Sequence, residues 1–185
     1  ISLETGGSGH AVLGWADDRD GNYKIYSQRI DQNCNTIWSN PNEGGVLVCD
    51  IGYGDGLNRH PRITYVGGDV SVMVWEDYRY NTFESDVFLQ FLDGDGSSLL
   101  QDNGIEISIA SGAQYLPRVK ADENFAYIVW EDLRNHPVFV DIYGQKVGLD
   151  GTIYWDEDGK SICDQLGQQY GSRLTVDGEG GAYFI

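Results

Sequence analysis

Two clusters in this sequence hold side chains suited to gripping a polar ligand. The first is the run Asp50-Ile-Gly-Tyr53-Gly-Asp55-Gly-Leu-Asn-Arg59-His60, with an aromatic ring, an acid, a guanidinium and an imidazole in one stretch. The second comprises Tyr78, Tyr80 and Phe83 together with His136 and Phe139, from two comparable stretches further on. Aromatic faces beside polar groups suit a sugar or a peptide. A glycosidase needs two carboxyl groups about 5–10 Å apart across a cleft. Asp55 has no partner evident in the sequence, so these residues predict a binding surface rather than a reacting pair.

A third set of residues points to a metal. Asp18-Arg-Asp20-Gly-Asn22 and Asp93-Gly-Asp95-Gly offer alternate oxygen ligands of the kind calcium takes. Neither run extends to the twelve-residue calcium loop with its terminal Glu. Most such runs are simply turns; calcium, with Asp18, Asp20, Asn22, Asp93 and Asp95 as candidate ligands, is the one cofactor the sequence offers. The three histidines lack paired ligand spacing and give no zinc site. No nucleophile elbow, phosphate loop or HExxH is present.

The elements that must position these groups are written in a repeat. Trp15-Ala-Asp17-Asp-Arg19, Trp75-Glu-Asp77-Tyr-Arg79 and Trp130-Glu-Asp132-Leu-Arg134 recur at steps of 60 and 55 residues. Each is followed by a run containing Gln28, Gln90 or Gln145, and each unit closes on an arginine: Arg62, Arg118 or Arg173. Four short strands fit each unit. Strand A follows the closing arginine (63–66, 119–121, 174–176, with 1–3 as the first copy). Strand B ends at the motif Trp, strand C carries the Gln, and strand D is the run 45–49, 104–108 or 159–163. Gly/Asp/Asn turns join A to B.

Four antiparallel strands per unit of about 55 residues, without helical periodicity, predict an all-β fold of propeller blades. The expected units are 1–62, 63–118 and 119–173, with a fourth starting at 174–185. Propellers typically have about 4–8 blades. The remaining blades are expected from the same, longer chain, since both ends cut through strands, or else from a second chain. In such blades the B–C and D–A loops share one face, which therefore collects both ligand clusters. The repeated Trp, Asp and Arg read as architecture: an apolar plate, a turn cap and a fork for a carboxylate. The fork has two candidate acids, the motif Asp and the Asp that opens strand C (Asp86, Asp141).

Composition narrows the partners. A formal net charge of −17 excludes nucleic acid and anionic membrane as binding partners. No stretch approaches the ~20 apolar residues of a transmembrane helix, so no membrane insertion is expected. The sequence has 25 glycines but only 4 prolines and 1 methionine, a mixture for turns and aromatic-rich strands. Cys34, Cys49 and Cys163 form an odd set, and Cys49 and Cys163 occupy equivalent, hence distant, places. They are expected to pack as small buried residues.

The succession Trp-Glu-Asp-x-Arg, Asp-Ile-Tyr-x-Gln, Gly-x-Ile-x-Trp and Pro-Arg, clearest over 130–150, resembles propeller repeats of large secreted bacterial proteins. The Ser-x-Asp-x-Gly-x-Thr-Trp box of sialidase-like propellers is absent. The resemblance implies a secreted or cell-surface location and a scaffold or adhesive role, with a protein or carbohydrate ligand and no catalytic residue carried over. Unit one departs from it at Lys24 and at Cys34, where the turn would have Gly. The expectation is a non-catalytic extracellular scaffold or binding module. Two alternatives stand beside it: part of a carbohydrate-active propeller enzyme, and a calcium-stabilised subunit of a surface assembly.

Overall fold

The computed structural model describes residues 1–7, 9–19, 21–38, 44–51, 58–136 and 138–185. Its strands fall into successive antiparallel sheets. The first holds β1 (Ser2–Thr5), β2 (Ala11–Asp17), β3 (Lys24–Ile30) and β4 (Val46–Cys49), in that order. The second holds β5 (Arg59–Gly67), β6 (Val70–Asp77), β7 (Asp86–Leu92) and β8 (Ile105–Ser108). The third holds β9 (Gln114–Ala121), β10 (Phe125–Asp132), β11 (Asp141–Gly148) and β12 (Lys160–Cys163). A hairpin of β13 (Leu174–Val176) and β14 (Ala182–Phe184) follows.

The first strands of adjacent sheets, β1, β5, β9 and β13, lie beside one another, whereas β4, β8 and β12 are outermost. The sheets are thus blades set about a common axis, a partial β-propeller. Among the described residues no helix is long and apolar enough to cross a membrane.

Blades stick together through the faces of their middle strands. One core joins Val12, Ile25 and Val48 of the first blade to Ile63, Met73 and Phe88 of the second. A second core joins Val74, Leu89 and Phe91 to Val119, Ile128 and Val147 of the third. Trp75 and Trp130 are wholly buried in these interfaces. At about 25 cal/mol per Å², each ring contributes roughly 5 kcal/mol.

Strand A begins earlier than the closing arginine. β5 pairs Arg59 with Glu76, then resumes at Arg62 with Val74. β9 pairs Tyr115 with Glu131, then resumes at Arg118 with Val129. The intervening bulge holds His60 at φ 50° and Leu116 at φ 49°, each directly before a proline. Arg62 and Arg118 therefore lie inside the strand and not at the end of the preceding loop. Strand B also runs two residues past its Trp, because the motif Asp still pairs with strand C.

The repeated glutamine ties strand C to the chain that follows. Gln90 donates to Gln101 O at 2.8 Å and accepts from the N–H groups of Phe91 and Leu100. Gln28 and Gln145 do the same with Trp38 and with Asp156 and Trp155. A tight turn precedes each of these ties, with Gly96 at φ 84° and Gly151 at φ 85°. In the first blade Cys34 takes that place at φ 64°, a conformation that costs a side-chain-bearing residue about 1 kcal/mol or more.

All three cysteines are free thiols. Cys49 is fully buried, as expected of a small core residue, whereas Cys34 is exposed on its turn.

Two substitutions test this architecture by differential scanning calorimetry. Cys34→Gly relieves the turn and raises Tm by about 2–4 °C. Gly104 at φ 81° lies under the Trp75 ring, where an added Cβ would stand 2.5 Å from the indole and 2.7 Å from Leu89 O. Gly104→Ala accordingly lowers Tm by at least about 6 °C.

Candidate functional site

The repeated motif forms a clasp at the end of strand B. Asp77 accepts from Trp75 Nε1 at 2.8 Å, from the Arg79 backbone N–H at 2.9 Å and from the Arg79 guanidinium at 2.6 and 2.9 Å. Asp132 accepts the same set from Trp130 and Arg134. In the first blade Asp17 accepts from Trp15 and Arg19. There the Arg19 guanidinium holds the carboxyl well below the usual carboxylate range.

Each arginine also lies over the ring of the strand-C aromatic: Arg19 over Tyr26, Arg79 over Phe88 and Arg134 over Tyr143, at 4.3, 3.8 and 3.9 Å. Arg79 and Arg134 further donate to Asn103 O and Asp158 O, and reach Cys49 and Ser108 of the preceding blade. These nine residues hold the loops of the candidate face in place.

The strand-C acids are not partners of the fork. Asp141 accepts from Asn135 Nδ2 at 2.8 Å. Asp86 lies opposite Asp77 in the ladder and is nearly inaccessible. Burial, and then the charges of Asp77, Glu106 and Asp158, push its carboxyl up to about 7.

The predicted ligand residues divide into groups. Phe83 and His136 come together in a cleft of about 410 Å³ between the B–C loops of the second and third blades, with Glu84, Tyr115 and Asn135 completing its polar and aromatic lining. Phe83 is 89% exposed there. The Phe139 ring lies tilted against His136 at 4.4 Å between centroids, and both line an adjoining cleft of about 330 Å³. Tyr80 turns away, donating to Glu106 at 2.6 Å on the outer strand. Tyr53 and Asp55 lie outside the described residues.

His60 and Tyr78 meet at the head of strand A, around Glu76. Glu76 Oε1 lies 2.9 Å from His60 Nδ1 and accepts the Leu116 N–H at 2.7 Å, while Tyr78 Oη donates to Oε2 at 3.4 Å. Arg59 acts electrostatically on Tyr78, whose phenol is pushed up by burial and then by Glu76. Glu131 repeats the interblade bond, accepting from Gly171 N–H at 3.0 Å. Tyr115 connects this group to the cleft: burial, then Glu76 and Glu84, raise its phenol.

The sequence reading passed over Glu76, Glu84 and Tyr115. The signal for Glu76 was a departure from the repeat, since Ala16 occupies its place in the first blade.

The metal residues are not assembled. Asp93 spends its carboxylate on the N–H groups of Asp95 and Ser97, capping a turn. Asp20 lies outside the described residues, and Asp18 and Asn22 join no cluster of three or more metal-ligating acids, histidines or cysteines among the described ones. Asp93 Oδ1 thus serves as a turn cap, as short acidic side chains in such runs do.

No family model and no curated protein matches the sequence. Solved structures do. The GH32 β-fructofuranosidase BmSUC1 of Bombyx mori matches with a TM-score of 0.53 and 15% identity, over 96% of this chain and 40% of its own. The shared feature is the propeller fold. The native arabinanase Arb43A of Bacillus subtilis gives 0.46 and 11%, over 80% and 52%. A GH130-family glycoside hydrolase that targets β-1,2 mannosidic linkages in Candida mannan gives 0.48 and 10%, over 88% and 50%. The chain thus spans roughly half or less of each. The β-fructofuranosidase match overturns the expectation of a non-catalytic scaffold or binding module.

Asp86 supplies a pH test of the site's frame. Its folded pKa of about 7 exceeds the ordinary 3.8, so the folded state retains a proton that the unfolded chain releases. That contribution to stability is complete below about pH 4 and is lost as pH rises through about 7. Asp86→Asn therefore raises Tm by about 2–4 °C at pH 8 and changes it little at pH 4, as thermal melts at the two pH values will show.

Proposed function

We propose that this chain is part of a carbohydrate-active propeller that takes its sugar on the B–C/D–A face. The observation that carries the reading is the cleft between the second and third blades. Its exposed Phe83 ring and its Tyr115 offer faces for a pyranose or furanose, while Glu84, Asn135 and His136 offer hydrogen-bonding partners. A volume of about 410 Å³ accommodates one or two sugar residues. Glu84 and Glu76 both act on Tyr115, so two carboxylates stand on the same side of the molecule as the cleft. Glycoside hydrolysis uses two carboxyl groups flanking the bond to be cut, and Glu84 is the carboxylate that lines this cleft.

The fold supports this reading, because propellers of this shape include a protein named β-fructofuranosidase. The B–C loops that form the cleft are two residues longer in the second and third blades than in the first, which suits a specificity surface. The resemblance of the blades to those of secreted bacterial proteins supports a secreted or cell-surface location, where polysaccharide is available.

An oligosaccharide panel, read by titration calorimetry and by release of reducing ends, tests the proposal. At least one member binds, and Phe83→Ala weakens it by about tenfold or more. Glu84→Gln keeps binding and abolishes any turnover. A panel in which nothing binds and nothing is cleaved would sink the reading.

A further inference from the structure

Strand A of successive blades carries an arginine at one register. Arg62 lies opposite Val74 and Arg118 opposite Val129, in each case one residue before the motif tryptophan. Arg173 exchanges backbone hydrogen bonds with Ile185 at 2.8 and 2.9 Å, one ladder step beyond the Leu174–Phe184 pair. In the first blade Ser2, opposite Gly14, holds this place.

The strands that bear these residues are the ones nearest the axis. An ion pair of 2.8 Å between Lys120 of the third blade and Glu4 of the first shows how closely they converge. Lys120 is two residues beyond Arg118, so both project from the same side of β9, while Val119 between them is buried in the interblade core. The arginines form one tier around the axis, and Glu4 with Lys120 belongs to the tier below.

The charge of this tier is unusual in such a chain. The sequence has 29 acids against 12 lysines and arginines. Yet none of the ion pairs among the described residues includes Arg62, Arg118 or Arg173. Arg62 and Arg173 donate instead to the backbone carbonyls of Pro61, Gly171 and Ser172.

Burial, and then the charges of Arg173 and Arg62, hold the Arg118 guanidinium below its usual value. Glu131 is the acid that opposes this, and its carboxylate already accepts the Gly171 N–H. Three neighbouring guanidinium forks that form no ion pair among the described residues are stabilised by an anion placed among them.

We propose that Arg62, Arg118 and Arg173 form an oxyanion-binding tier at the axial mouth, which takes the carboxylate or sulfate of an acidic sugar. The sugar half of this assignment rests on the carbohydrate reading above; the oxyanion half rests on the arginines alone. Guanidinium forks bind such groups bidentately, which a lysine at the same place would not reproduce.

The test uses the full chain and three probes: trigalacturonate, the neutral galactotriose, and sodium sulfate against sodium chloride at equal ionic strength. Trigalacturonate binds about tenfold or more tightly than galactotriose, and Arg118→Ala and Arg118→Lys both remove that preference. Sulfate raises the Tm of the wild type more than chloride does, and this excess vanishes in both variants. A cooperative melt of the lysine variant verifies that it is folded. Equal binding of the two trisaccharides together with no sulfate effect overturns the tier while leaving the carbohydrate reading intact. A sulfate effect that depends on Arg118, with neither sugar bound, upholds the tier as an oxyanion site and removes the sugar half.

Discussion

One carboxylate per blade satisfies an indole N–H, a backbone N–H and a guanidinium at once, and much of the molecule follows from that bond set. The carboxylates of Asp77 and Asp132 are buried, so nothing but the protein can satisfy them. The carboxylate fixes the tryptophan, and the tryptophan's plane leaves no room for a side chain at the head of strand D. Gly45, Gly104 and Gly159 meet that demand in the three blades. The guanidinium, held flat on the strand-C aromatic, reaches the preceding blade at Cys49 or Ser108. Burial and the Asp77 charge push the Cys49 thiol up to about 12, so this contact is made by a neutral thiol.

The candidate ligand residues Phe83, Glu84, Tyr115 and His136 lie where the later blades depart from the first. Glu76 and Glu131 clip each blade to the strained or glycine-borne step that opens the next, through Leu116 and Gly171. The first blade has Ala16 there, and His60 turns its ring onto Glu76 instead. Positive φ at His60 and Leu116 is backbone strain retained beside the axial mouth, a placement typical of sites that bind or react. The B–C loops supply the aromatic wall, and strand A supplies the charges.

Much of this was legible in the residues. The recurrence of Trp-x-Asp-x-Arg with a trailing glutamine marks blades, because one packing problem solved repeatedly leaves one pattern. The shared face of Phe83 and His136 followed from loop alternation alone. Other features were hidden for physical reasons. The head of strand A is bulged, and a bulge has no periodic signature, so Arg62 and Arg118 read as loop ends. Asp86 looked like an arginine partner by proximity along the chain, but the nearer Asp77 saturates the guanidinium. The Asp-rich turns resembled calcium ligands because capping a turn and binding a cation select the same short acidic side chain. Convergence of residues from three blades on one axis depends on interblade packing, which no single stretch encodes.

The clasp also separates scaffold from cargo. In the second and third blades the B–C excursion leaves from an arginine locked in its own blade and returns at a strand-C acid paired in the same ladder, Asp86 with Asp77 and Asp141 with Asp132. Between those anchors the chain contributes little to the interblade cores. Segments from one blade can therefore be grafted onto another, or diversified wholesale as a combinatorial library, while the framework beneath keeps its geometry.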